Sequence, residues 1–250
     1  MNTLFTGRKI IELDRVASTN SYAMELLREM EMPEGTVVRA REQFSGRGQR
    51  GSAWESEAGK NITTSFIFRP SFIGATQQFM MSKVVALGVS DVVRHYVKSV
   101  AVKIKWPNDI YGGDKKIAGL LIENVIQQQS ITACVAGIGL NVNQEVFGNA
   151  VNPTSLKLIT GREFVPEQVF EKLCECLEAR YLELRAGKFA ALDRDYLHRL
   201  YRYQEWSEFI IENKTVKARV TGISQSGKLK VEIENGSEKE FDLKEIQMVI

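Results

Sequence analysis

The chain has 250 residues, of which 44% are hydrophobic and 26% charged, an ordinary globular composition that excludes a disordered chain. Its 33 basic residues stand against 31 acidic ones, a net charge of +2, so there is no overall electrostatic reason to bind nucleic acid or an anionic membrane. Such a length buries one large core, with room for a small second domain. Met1 to Ile10 holds Thr6, Gly7, Arg8 and Lys9 where a secretory signal needs an apolar stretch. The most apolar segment, Val84 to Val93, is cut by Ser90 and Asp91 and is shorter than the ~20 residues of a membrane-spanning helix. A soluble, cytoplasmic protein is expected, with no membrane and no nucleic-acid partner. The cysteines are Cys134, Cys174 and Cys176. The last two, two residues apart in a helical pattern, point to different faces. With only His95 and His198 available besides, the thiols are read as buried and structural, and no metal cage is assigned.

Ser18-Thr19-Asn20 precedes Ala23, Leu26, Leu27 and Met30, one face of a helix with a capping residue at its start, ended by Pro33 and Gly35. Residues 36 to 40 and 62 to 68 read as strands, and Thr76 to Val97 as a long buried helix. Val102, Ile104 and Trp106 alternate with Lys103 and Lys105 until Pro107 stops the strand. Trp106 is read as core and Lys103 as a solvated sheet residue. Ile117 to Val125 and Ile131 to Leu140 form an antiparallel meander, turned at Gly112-Gly113-Asp114 and again at Gln127 to Ser130. Pro166 opens a helix striped by Val169, Phe170, Leu173, Leu177, Tyr181 and Leu184, with Gly187 near its end. From about Trp206 the texture changes to short strands with turns at Ser226-Gly227 and Asn235-Gly236. The expected fold is α+β: a mixed, mostly antiparallel sheet flanked by helices over residues 1–204, followed by a small β-barrel over 205–250.

Gly46-Arg47-Gly48-Gln49-Arg50-Gly51 satisfies a Gly-x-Gly-x-x-Gly pattern, which alone is weak evidence. A dinucleotide-binding fold needs a helix straight after the glycines, and residues 52–59 have no helical period. A protein kinase needs His-Arg-Asp and Asp-Phe-Gly segments, and neither occurs. Gly59-Lys60 is followed by Asn61, which rules out a Walker-type loop on spacing. What remains is a loop of exposed amides with two fixed cations, Arg47 and Arg50, suited to anions.

Ser18-Thr19-Asn20, Gln43, the segment from Gly46 to Trp54, Lys105-Trp106-Pro107-Asn108-Asp109, Lys116-Ile117-Ala118-Gly119 and Gly139-Leu140-Asn141 follow in an order that resembles the biotin protein ligases, over most of residues 10 to 145. The resemblance implies a class II synthetase-like catalytic domain. It implies that the protein activates biotin with ATP to biotinyl-5′-AMP and passes biotin to a lysine of a biotin carboxyl carrier protein. Joining a carboxylate to an α-phosphate brings two anions together, so fixed cations are required. By resemblance, Arg47 and Lys116 contact the biotin carboxylate and the α-phosphate, and Lys105, Asn108 and Asp109 serve the nucleotide. Magnesium is placed beside Asp109, with no ligand set assigned. Arg47, Lys116 and Asp109 are the catalytic candidates.

Biotin's neutral ureido ring calls for hydroxyl and amide partners. Ser18, Thr19, Asn20 and Gln43 match family positions at that ring, while Gly46 and Gly119 let the valeryl chain pass. Ser18 and Thr19 also read as plain helix caps, and both roles coexist. Trp54 resembles the tryptophan packed near adenine and Asn141 an asparagine near the nucleotide, against ordinary packing and turn formation as the plainer readings. Gln49 and Ser52 depart from the family pattern, standing where arginines are frequent, and so remove two phosphate contacts from the loop. Only 17 residues precede Ser18, from which a ligase without a DNA-binding repressor domain is expected. The rival readings are a lipoate or octanoate attachment enzyme of the same fold, and a biotin- or nucleotide-binding regulator without transfer activity.

Overall fold

The computed structural model describes residues 1–148 and 150–249 and, at Arg50, the backbone alone. The chain opens with strand β1 (Ile10–Val16), helix α1 (Thr19–Glu29) and strand β2 (Thr36–Gln43). β1 and β2 pair in parallel, Ile10 against Val37, so α1 is a crossover lying on one sheet face. A short hairpin of β3 (Gly46–Arg47) and β4 (Ala53–Trp54) follows, then β5 (Ile62–Phe68), α2 (Phe79–Tyr96), β6 (Val102–Lys105), β7 (Asp109–Gly112), β8 (Lys115–Gln127) and β9 (Ser130–Leu140). The main sheet has the order β1-β2-β5-β9-β8-β7-β6, and every pairing after the first is antiparallel.

β5 is buried at every position, as befits a central strand covered on both faces. Its polar residues are satisfied internally: Thr63 Oγ1 donates to Ala40 O at 2.7 Å and Thr64 Oγ1 to Val38 O at 3.0 Å. One face packs against α2 and α4 (Pro166–Arg185), joined by α5 (Phe189–Arg199), while a five-residue helix, α3 (Leu156–Thr160), sits beside the end of β9. The other face carries α1 over a smaller core of Ala23, Met32, Val38, Ile67 and Val135.

The remaining strands, β10 (Trp206–Ile211), β11 (Lys214–Ile223), β12 (Leu229–Ile233), β13 (Glu238–Phe241) and β14 (Ile246–Met248), form an antiparallel sheet of order β13-β12-β11-β10-β14. Among the described residues no ladder joins β13 to β14, so the expected barrel is an open sheet: the two end strands are short and their pairing ends on β12 and β10. The sheet is fixed to the main body by Phe209, Val220 and Val231, which share its core. Trp106 adds a polar clasp, its Nε1 donating to Gly227 O at 2.8 Å. The alternating segment ends at Lys105, and Trp106 occupies the turn after it.

Candidate functional site

The site grows from missing side chains on one face of the main sheet. Val135 of β9 packs under α1, and with a two-residue period Gly137 and Gly139 face the same way. Their cross-strand partners on β8 are Leu121 and Gly119, and Glu123 stands opposite Val135. Three glycines therefore leave a trough between α1 and the β3–β4 hairpin. It cannot be refilled cheaply: a Cβ on Gly137 would lie 2.3 Å from Asn20 Oδ1, and one on Gly139 would lie 2.2 Å from the Trp54 indole.

One end of the trough is polar. Ser18 caps α1 from an extended conformation, and Ser18, Thr19 and Asn20 are all buried. Gln43 Oε1 accepts from Thr19 N at 2.7 Å and from Thr19 Oγ1 at 3.0 Å. Ser65 Oγ lies within donating distance of Thr19 Oγ1, 2.8 Å, and of Asn20 Oδ1, 2.6 Å. Asn20 Nδ2 donates to Leu121 O and to Glu123 Oε2. The result is a chain of aligned hydroxyls and amides whose geometry is set before a ligand arrives.

Cations stand on both sides of the trough, Arg47 beside this polar end and Lys116 at the far one. Arg47, on the hairpin, donates to Ser21 Oγ at 3.1 Å and pairs with Glu123 Oε1 at 3.0 Å. Lys116 pairs with Asp109 Oδ1 at 2.6 Å, and its backbone is pinned between Asn152 O and Thr154 N. The Trp54 indole lies between these pairs, over Gly119 and Gly139, with Lys116 Nζ 5.8 Å from its centre and a buried Nε1 that has no partner among the described residues.

Beyond Trp54 the trough meets a larger cavity of about 700 Å³ lined by Lys105, Asp109, Tyr111, Lys116, Asn141 and β14. Burial lowers the Lys105 pKa, with Lys116 acting in the same sense and Asp109 opposing. Burial, then Asp109 and Tyr201, push Tyr111 up to about 12. Asn108 Nδ2 donates to Leu120 O at 2.8 Å and Asn141 Nδ2 to Thr154 O at 2.9 Å, while Asn141 Oδ1 is buried with no partner among the described residues.

The structure thus gathers Ser18, Thr19, Asn20, Gln43, Arg47, Trp54, Asn108, Lys116 and Gly119 around the trough, and Lys105, Asp109 and Asn141 around the adjoining cavity. Gly46 pairs with Trp54 at the base of the hairpin, where a Cβ would meet Trp54 O. The Arg50 side chain lies outside the described residues. Ser21, Ser65, Glu123 and Gly137 were not anticipated. The residues beyond the glycine loop form no opening helix, which agrees with the rejection of a dinucleotide motif.

A model of the biotin/lipoate A/B protein ligase family matches residues 12–142. The chain belongs to this family. Among curated relatives, it is 32% identical to the biotin–[acetyl-CoA-carboxylase] ligase of Paracoccus denitrificans, over 87% of this chain and 91% of that protein. It is 29% identical to the bifunctional ligase/repressor BirA of Bacillus spizizenii, over 96% of this chain and 74% of that one. Among solved structures, the biotin protein ligase of Aquifex aeolicus in complex with biotin and ATP superposes with a TM-score of 0.77 at 26% identity, covering 97% of this chain and all of that one.

Proposed function

We infer that this chain is a biotin protein ligase that activates biotin with ATP to biotinyl-5′-AMP and then transfers biotin to a lysine of a biotin carboxyl carrier protein. The observation that carries the reading is the trough itself: an end of hydroxyls and amides suited to a ureido ring, a glycine floor, and flanking cations, of which Lys116 also lines an adjoining cavity of nucleotide size. The Paracoccus relative and the Aquifex structure support the same substrates.

In this assignment Ser18, Thr19, Asn20 and Gln43 hold the ureido ring, and the valeryl chain passes over Gly119 once the Trp54 indole that covers it has moved aside. A carboxylate oxygen of biotin attacks the α-phosphorus and the bond to pyrophosphate breaks. Arg47 and Lys116 offset the charge that accumulates. The carrier lysine, as a free amine, then attacks the acyl carbon, an amide forms and AMP leaves. Lys105, Asn108, Asp109, Trp54 and Asn141 stand on the nucleotide side. Asp109 suits a magnesium ion, which needs one or two protein carboxylates and takes its other ligands from phosphates and water. Held there, the ion would supply charge for the departing pyrophosphate. No helix among the described residues is long and apolar enough to cross a membrane. The three cysteines are free thiols, which supports a cytoplasmic setting.

Pyrophosphate release with ATP and magnesium tests the assignment. It should depend on biotin and not respond to lipoate or octanoate; dependence on lipoate would move the chain to the other branch of its family.

A further inference from the structure

The assignment above gives Arg47 its work but not its place, since a three-glycine hairpin has little stiffness of its own. We propose that Glu123 is the positioning residue for Arg47, a rigid counter-ion that ties the hairpin over the trough. The proposal rests on the reading of Arg47 as a substrate contact.

Glu123 lies on β8, inside the main sheet, whereas the Arg47 side chain is 48% exposed against 26% for Glu123. The two carboxylate oxygens do different jobs: Oε2 accepts from Asn20 Nδ2 at 2.9 Å and Oε1 from Arg47 Nη2 at 3.0 Å. Asn20 is fixed in turn by Leu121 O and Ser65 Oγ. The carboxylate is therefore oriented before Arg47 reaches it, and Arg47 Nη1 closes the arrangement on Ser21 Oγ. A supporting group whose own rotamer is locked is what places a mobile cation to within the tolerance that charge stabilisation needs. Asp109 holds Lys116 alone and is fixed by no such second bond among the described residues, so the two ion pairs are not equivalent.

The test is Glu123→Gln, which keeps the stem and an acceptor for Asn20 while deleting the charge that holds Arg47. Two readouts are taken on the full chain. Limited trypsin digestion, with the first cuts located by mass spectrometry, should show cleavage after Arg47 or Arg50 at least fivefold faster than in the unaltered chain. Biotin-dependent pyrophosphate release should lose roughly tenfold in kcat/KM, about 1.4 kcal/mol. In an Arg47→Ala background the same change should cost nothing further, because Glu123 acts only through Arg47. A general structural lesion would lower the rate equally in both backgrounds, so equal losses overturn the proposal even if Glu123→Gln is less stable. Unchanged cleavage also overturns it. If the unaltered chain releases no pyrophosphate with biotin, the functional assignment fails, while the digestion still decides whether Glu123 tethers the loop.

Discussion

At the residue scale the site is a balance of charges that the chain supplies to itself. Arg47 with Glu123 and Lys116 with Asp109 make two ion pairs on either side of the Trp54 indole, so under the proposed assignment a substrate anion arrives at cations already oriented and partly neutralised. In the proposed reaction, Lys116 is the cation that gains most as negative charge grows between carboxylate and α-phosphate. We expect Lys116→Gln to lower single-turnover adenylation by tenfold to hundredfold, about 1.5–3 kcal/mol for a charged contact, with a much smaller change in biotin affinity. Rapid-quench adenylation beside a biotin titration checks this, and a loss confined to affinity would misplace the residue. Arg47→Ala should likewise slow pyrophosphate release by at least tenfold with no change in fold by circular dichroism, because Arg47 lies on an exposed hairpin outside the core; release near the unaltered rate would contradict it. The lysines, the arginine and the caps were legible because each sits in a short, spaced run of unusual residues. Glu123 and Ser65 were not, because their partners lie 103 and 45 residues away at Asn20, and only the sheet register brings them together.

Among the elements, periodicity marked α1, α2, α4, β5 and the β8–β9 meander, all of which have a strong apolar face or full burial. It passed over β1, which alternates weakly at a sheet edge, and α5, whose buried residues are only Leu192 and Tyr196. Ion pairs add to the packing of α5: Arg180 and Arg199 both bind Asp91, and Arg180 also binds Asp195. The β10–β11 turn was hidden too. Its two residues, Glu212 and Asn213, both take positive φ, 50° and 62°, the geometry of a two-residue hairpin without the usual glycine. The α2–α4 contact gives a sharper expectation. A Cβ on Gly88 would fall 2.8 Å from Leu177 Cδ2 and 3.2 Å from its Cα, so Gly88→Ala trades a gain in helix propensity for overpacking. The overpacking should win, destabilising the protein by ~1–3 kcal/mol in urea unfolding; equal or greater stability would mean that the helices part freely.

Across the whole molecule, the sheet bearing the trough is braced by contacts remote from it. Buried Glu178 on α4 accepts the backbone N–H groups of Leu4, Phe5 and Thr6, anchoring the N-terminal segment. Burial raises its pKa, but the three N–H bonds outweigh burial and the net shift is downward. Because the folded pKa lies below the unfolded one, about 4.3, this carboxylate contributes stability above that pH and loses it as pH falls through the folded value. Glu178→Gln should therefore be less stable at pH 7 and show a flatter fall in stability below pH ~4.5; parallel acid limbs for the two proteins would refute the anchor. The C-terminal sheet contributes Ile210, Gln247 and Met248 to the cavity beside Lys105 and Lys116, so under the proposed assignment the two sheets share one catalytic task. The most direct measurement of that task is the intact mass of a biotin carboxyl carrier domain incubated with the protein, biotin, ATP and magnesium. A gain of one biotinyl group on the carrier lysine, lost when ATP is withheld, is the predicted result; an unmodified carrier beside an active pool of biotin and ATP would contradict the assignment.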